Sequence, residues 1–114
     1  MAVTAMDLVA TAKQNITEIT VTDAKQVIAN QLVLDVRDPA EFAAGQLPNA
    51  VNIPRGVLEF QIGNHPAFAG QQDTDIIVYC QSGGRSALAT EALHKLGFSK
   101  AVSMAGGYKA WSEN

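Results

Sequence analysis

Apolar residues recur at Ala5, Leu8, Val9, Ala12 and Ile16, a helical spacing that predicts a short amphipathic helix at the start of the chain. From Ile16 to Val21 the pattern changes to strict alternation, with Ile16, Glu18 and Thr20 against Thr17, Ile19 and Val21, which predicts a short outer strand. Thr22 and Asp23 then open a helix whose inner face is Ala24, Val27 and Ile28, with Asn30 as a left-handed stop. Leu32 to Val36 is a dense β-type run of the kind covered on both faces.

Asp38, Pro39 and Glu41 supply an N-cap, a proline at the first helical position and an acid three residues after the cap. They predict a short helix anchored by Phe42 and ended by Gly45. Ala50 to Ile53 reads as a strand closed by Pro54, and Gly56 to Ile62 as a helical turn or two. Asn64 to Thr74, with Pro66 and Gly70, reads as a surface loop. Ile76 to Tyr79 is an interior strand, and Ser86 to Leu96 a helix ended by Gly97. On that helix Leu88, Ala92 and Leu96, flanked by Ala89 and Leu93, form the apolar stripe; Thr90, Glu91, His94 and Lys95 form the wet face. Ala101 to Met104 is a last strand, Ala105 to Gly107 a turn, and Tyr108 to Trp111 a closing helix. Strands alternating with helices predict a small three-layer α/β fold around a mostly parallel sheet.

Composition narrows the function classes. A chain of 114 residues holds one core, and 47% apolar with 17% charged residues is ordinary for a soluble globular protein. The net charge is −3 and the eight Lys and Arg residues are scattered, so neither a nucleic-acid nor an anionic-membrane partner is expected. No run reaches the ~20 apolar residues of a membrane span, and the first residues lack the basic character of a targeting peptide. The expectation is a cytoplasmic protein. One cysteine excludes an internal disulfide, and His65 and His94 have no ligand-type neighbours, so no metal and no cofactor is expected.

That cysteine, Cys80, stands where the strand Ile76 to Tyr79 stops and the loop Gln81-Ser82-Gly83-Gly84-Arg85-Ser86 begins. Ligands of such folds collect beyond the carboxyl ends of the strands. Backbone N–H groups and the positive end of the following helix favour a thiolate there, the nucleophilic form. Two glycines let the backbone curl into an anion-binding nest, Ser82 and Ser86 add hydroxyl donors, and Arg85 adds a fork able to grip an oxyanion. Cys80 is therefore the candidate nucleophile and Gln81 to Ser86 the candidate substrate-binding loop. Asp35 and Arg37 read as a structural polar pair near the strand end in preference to direct substrate contacts, and Glu41 as a helix cap that also pairs with an arginine. Arg55 reads as a solvated surface arginine, with reach to the pocket mouth as its alternative.

Four stretches make the chain resemble the single-domain rhodanese family of sulfurtransferases: Leu34-Asp35-Val36-Arg37 with Glu41, Phe42 and Gly45; Asn49 to Pro54; Cys80 to Ser86; and Gly106-Gly107 followed by Trp111. The resemblance spans Ile16 to Trp111, so residues 16–114 are expected as one rhodanese-like domain and 1–15 as an N-terminal helix or extension. It implies a parallel sheet of about five strands, and a Cys80 that takes sulfur from a donor such as thiosulfate, becomes a persulfide, and passes the sulfur to cyanide, a thiol or a protein acceptor. Arg85 would orient the oxyanion part of the donor. Related phosphatases and arsenate reductases carry a loop one residue longer than the six from Cys80 to Arg85, which argues for sulfur over phosphate. A non-enzymatic sulfur carrier or docking module is the other alternative. Two departures stand out. Gly45-Gln46-Leu47-Pro48-Asn49-Ala50 replaces the frequent Gly-His-Ile-Pro-Gly-Ala, and Gln81 stands where some thiosulfate users have a basic residue.

Overall fold

A computed structural model describes residues 2–114; Met1, the first residue of the expected N-terminal extension, lies outside the described residues. Helix α1 (Ala5–Asn15) is capped by Thr4, whose hydroxyl accepts the Asp7 N–H while the Asp7 carboxylate accepts the Thr4 N–H. A short β1 (Glu18–Ile19) leads to α2 (Val21–Val27), then β2 (Leu32–Asp35), α3 (Pro39–Ala44), β3 (Ala50–Asn52) and α4 (Leu58–Gln61). The chain closes with β4 (Ile76–Tyr79), α5 (Gly84–Lys95), β5 (Ala101–Met104) and α6 (Gly107–Ser112).

The five strands form one sheet in the order β1-β5-β4-β2-β3, every neighbour parallel. The three central strands alternate their side chains between two apolar layers, as the two-residue strand period requires. Leu34, Ile76, Val78 and Cys80 face Leu58 and Ile62 of the α4 region and Ala89 and Leu93 of α5. Val33, Ile77, Tyr79 and Met104 face α2 and α6. Each fully buried aliphatic side chain contributes roughly 1.5–3 kcal/mol, so β4, buried along its whole length, is the anchor of the sheet. Helix α1 lies outside this sandwich and packs Val9 and Ala12 on Ala87 of α5.

The α/β architecture with a central parallel sheet is the one expected, but several boundaries and faces differ. The outer strand is shorter than its alternation suggested because Thr20 turns the chain into α2, its hydroxyl accepting the Asp23 N–H. Moving the cap from Thr22 to Thr20 puts Val21, Ala24 and Ile28 inward and leaves Val27 at the surface. The irregular stretch from Asn64 to Thr74 buries Phe68 fully in the α4/α5 layer. On α5 the buried positions include Ser86, Ala87 and Thr90, while Leu96 of the expected stripe is exposed. Thr90 is tolerated inside because its hydroxyl donates to the Ser86 carbonyl one turn back, 2.8 Å away.

Candidate functional site

The site lies where β4 ends. Cys80 continues the strand's inward face and is almost wholly buried. The next residues reverse direction through Gly83, whose left-handed φ of 109° glycine adopts without strain. This turn brings the Gly83 N–H back onto the cysteine, 3.1 Å from Sγ. The thiol is also 3.5 Å from Ser86 Oγ on the first turn of α5, and Ser86 Oγ in turn meets the Gly83 carbonyl at 3.3 Å. A backbone donor aimed at sulfur is best used by an anion, so the loop suits a thiolate or a terminal sulfide.

The loop is held from behind by the start of α6. The N–H groups of Tyr108 and Lys109 donate to the carbonyls of Cys80 and Gln81, at 2.8 and 3.0 Å. Such a close approach needs Gly107, where a Cβ would stand 2.5 Å from the Cys80 carbonyl oxygen. Gly106 and Gly107 both have positive φ.

Below the loop sits the Asp35–Arg37 pair, both side chains excluded from water. Arg37 donates from Nε to both carboxylate oxygens and from Nη2 to Oδ2 at 2.7 Å, and its own N–H donates to Oδ1. Burial opposes the guanidinium charge, but the hydrogen bonds and charge of Asp35 outweigh it and raise the Arg37 pKa further. Its ring-facing contacts are Tyr79 and Tyr108, with Cζ 5.4 and 4.5 Å from the ring centroids. The remaining donors reach the Gly45 carbonyl at 2.6 Å and the Gln81 side chain at 3.4 Å. Arg37 thus ties together the end of β2, the exit of α3 and the first residue of the loop. Burial, with Asp35 nearby, pushes the Tyr79 hydroxyl well above the usual phenol range, so it stays neutral and accepts the Leu47 N–H.

Arg85 leaves the loop toward α3. Both terminal nitrogens meet Glu41, at 2.8 and 3.1 Å, in a two-pronged ion pair. The hydrogen bonds from Arg85 pull the Glu41 carboxyl down to about 2, against the opposing effect of burial. Glu41 serves α3 as well, since its carboxylate also accepts the Asp38 N–H in the cap anticipated from Asp38-Pro39. Both prongs of the Arg85 fork are thus taken up by Glu41.

Of the residues singled out in the sequence, the structure gathers Cys80, Gly83, Gly84, Arg85 and Ser86 in the turn itself. Gln81 faces Arg37, and Ser82 is exposed at the tip. Asp35 and Arg37 form the support beneath. Arg55 turns its side chain to Glu59, 2.8 Å away, and lines a cleft of about 220 Å³ with Leu88, Glu91, Ala92, Lys95 and Leu96. Sequence reasoning missed Ser103, a fully buried serine on β5 with Oγ 2.9 Å from Ser86 Oγ. Its signal was a hydroxyl residue within the apolar run Ala101 to Met104. Asn49, standing where the frequent motif has glycine, adopts φ 66°, the left-handed turn that asparagine tolerates.

A model of the rhodanese-like domain family matches residues 20–114. Thiosulfate sulfurtransferase 16, chloroplastic, of Arabidopsis thaliana is 40% identical over 97 residues, covering 77% of this chain and 79% of that protein. The thiosulfate:glutathione sulfurtransferase of Homo sapiens is 34% identical over 90 residues, covering 71% and 78%. Among solved structures, a protein of unknown function from Rhodopseudomonas palustris, described as a possible tyrosine phosphatase, superposes with a TM-score of 0.85 at 29% identity, over 99% of this chain and 92% of that one. With sulfurtransferases among its relatives and the family's domain spanning most of its length, the chain belongs to the rhodanese-like domain family.

Proposed function

We propose that the protein is a sulfurtransferase that carries sulfane sulfur on Cys80. The observation that supports this most directly is the Gly83 N–H aimed at Sγ from 3.1 Å inside a six-residue turn closed by Arg85. The Cys80 thiolate attacks the outer sulfur of thiosulfate; a new S–S bond forms, the old one breaks, and sulfite leaves with the electron pair. In this scheme the Gly83 N–H and the neighbouring Ser86 hydroxyl stabilise the sulfur carried on Cys80. Cyanide or a thiol then attacks the terminal sulfur, and the Cys80 thiolate returns. With cyanide the product is thiocyanate, and with a thiol it is a new persulfide. Glutathione is a reasonable thiol acceptor, given the relative that uses it by name, and a protein thiol would serve in the same way. A lone cysteine that cycles through thiolate and persulfide suits a reducing compartment such as the cytoplasm.

Incubation with thiosulfate should add one sulfur atom to Cys80, seen by intact mass and removed by cyanide, and Cys80→Ser should show neither. No mass gain with thiosulfate or with glutathione persulfide would refute the proposal. Efficient exchange with a protein persulfide beside negligible thiosulfate turnover would instead make the domain a sulfur carrier. Hydrolysis of an aryl phosphate, lost in Cys80→Ser, would support the phosphatase description given to its structural relative.

A further inference from the structure

We propose that Ser103 is a positioning residue for Cys80: its hydroxyl holds Ser86 in the orientation that donates a hydrogen bond to the anionic forms of the cysteine sulfur. Ser103 lies on β5, paired in register with Val78 of β4 two residues before the cysteine, and its side chain has no contact with water. Among the described residues its Oγ has one side-chain hydrogen-bond partner, Ser86 Oγ at 2.9 Å. Ser86 Oγ has two further neighbours, the Gly83 carbonyl at 3.3 Å and Cys80 Sγ at 3.5 Å.

Proton counting assigns the directions. A buried hydroxyl proton left without an acceptor is costly, and Ser86 Oγ is the side-chain acceptor within reach of Ser103. Ser103 therefore donates and Ser86 accepts, which leaves the Ser86 proton to choose between Gly83 O and the sulfur. With a thiol at position 80 the S–H points to Ser86 Oγ, and Ser86 donates to Gly83 O. Once Cys80 has lost its proton, the sulfur can only accept. A small rotation then turns the Ser86 proton onto it, while the bond from Ser103 is kept. The two hydroxyls in series polarise one another, which makes Ser86 a better donor to the anion than it would be alone. Without the Ser103 hydroxyl, Ser86 loses both this polarisation and its orienting partner.

The charged groups around the loop do not depend on Ser103. Arg85 is held by Glu41, Arg37 by Asp35, Asp38 caps α3, and Asp7 and Lys109 are exposed. Removing the hydroxyl thus changes the hydrogen bonding at sulfur and leaves the electrostatics in place. The consequence for turnover rests on Cys80 being the sulfur-carrying residue, but the primary readout does not.

The test is the rate of Cys80 alkylation by iodoacetamide from about pH 5 to about pH 10, in the wild type, Ser103→Ala, Ser103→Thr, Ser86→Ala and the Ser86→Ala/Ser103→Ala double variant. Ser103→Ala should move the midpoint of the pH profile upward and slow alkylation near neutral pH by about 3–10-fold, with melting checked separately. Ser103→Thr, which keeps the hydroxyl, should restore the wild-type profile. The double variant should match Ser86→Ala alone, because Ser103 acts only through Ser86. An unmoved profile in Ser103→Ala, or effects of the two single variants that multiply in the double, would overturn the assignment. Normal alkylation shifts with no sulfur transfer in any variant would leave this assignment standing and overturn the sulfurtransferase proposal instead.

Discussion

Gly107→Ala should damage both the stability and the chemistry of this protein, and the size of the damage follows from two features of one position. The residue has φ +60°, so an alanine there adopts a left-handed conformation at a cost of about 1 kcal/mol. Its new Cβ would also lie 2.5 Å from the Cys80 carbonyl oxygen, 2.6 Å from the Gln81 carbonyl carbon and 2.7 Å from the Gln81 oxygen. All three are backbone atoms, so no side chain can swing away and α6 must retreat from the loop. Such overpacking costs about 1–3 kcal/mol, and the retreat stretches the Tyr108 N–H bond to the Cys80 carbonyl. A total near 3 kcal/mol corresponds to roughly 12 °C in melting temperature for a domain of this size. Sulfur transfer to cyanide should fall as well, because the displaced carbonyl belongs to Cys80. Gly56→Ala is the control: nothing lies within 4 Å of its added methyl, and both melting and turnover should stay close to wild type. Thermal unfolding by circular dichroism decides the matter. A Gly107→Ala protein melting within about 2 °C of the wild type would show that α6 does not clamp the loop as argued.

Asp35→Asn should cost about 3–5 kcal/mol in urea unfolding, since it leaves the Arg37 charge buried and uncompensated; a loss under about 1 kcal/mol would mean that water reaches the pair. Glu41 has a native carboxyl pKa of about 2 against an ordinary value near 4.5, so its ion pair with Arg85 contributes stability above about pH 4.5 that disappears as the pH falls through about 2. The pair is partly exposed, so Glu41→Gln should cost only about 0.5–1 kcal/mol at neutral pH. The gap between wild type and variant in unfolding midpoint should then shrink in that acid window, and a gap that grows with acidification would contradict the linkage.

Much of the site was legible because its residues act locally. A cysteine at a strand end, followed by two glycines and then a helix, specifies a tight turn back toward the sulfur, and the Gly83 N–H meets it within three residues. The cap at Asp38 was readable for the same reason, since Asp38-Pro39 and Glu41 satisfy one another across a single turn. Thr20 and Thr22 compete for the start of α2, and only the packing of Val21 against the sheet chooses between them. Thr90 read as a solvent residue from its chemistry, yet a local bond to Ser86 makes it acceptable inside. Phe68 read as part of a loop because nothing near it in sequence shows that the α4/α5 layer has a gap to fill.

Taken alone, the sequence determined the alternation of strands and helices, the interior character of β2 and β4, and the place of the Cys80 turn between strand and helix. These depend on periodicity and on contacts a few residues apart. The tertiary structure decided what surrounds that turn: Arg37 reaching Gln81, Glu41 occupying the Arg85 fork, Gly107 bringing α6 against the loop backbone, and Ser103 standing behind Ser86. Each of these contacts joins residues from different elements of the chain. Their geometry is set by the order β1-β5-β4-β2-β3, a property of how the strands pair and not of any one segment.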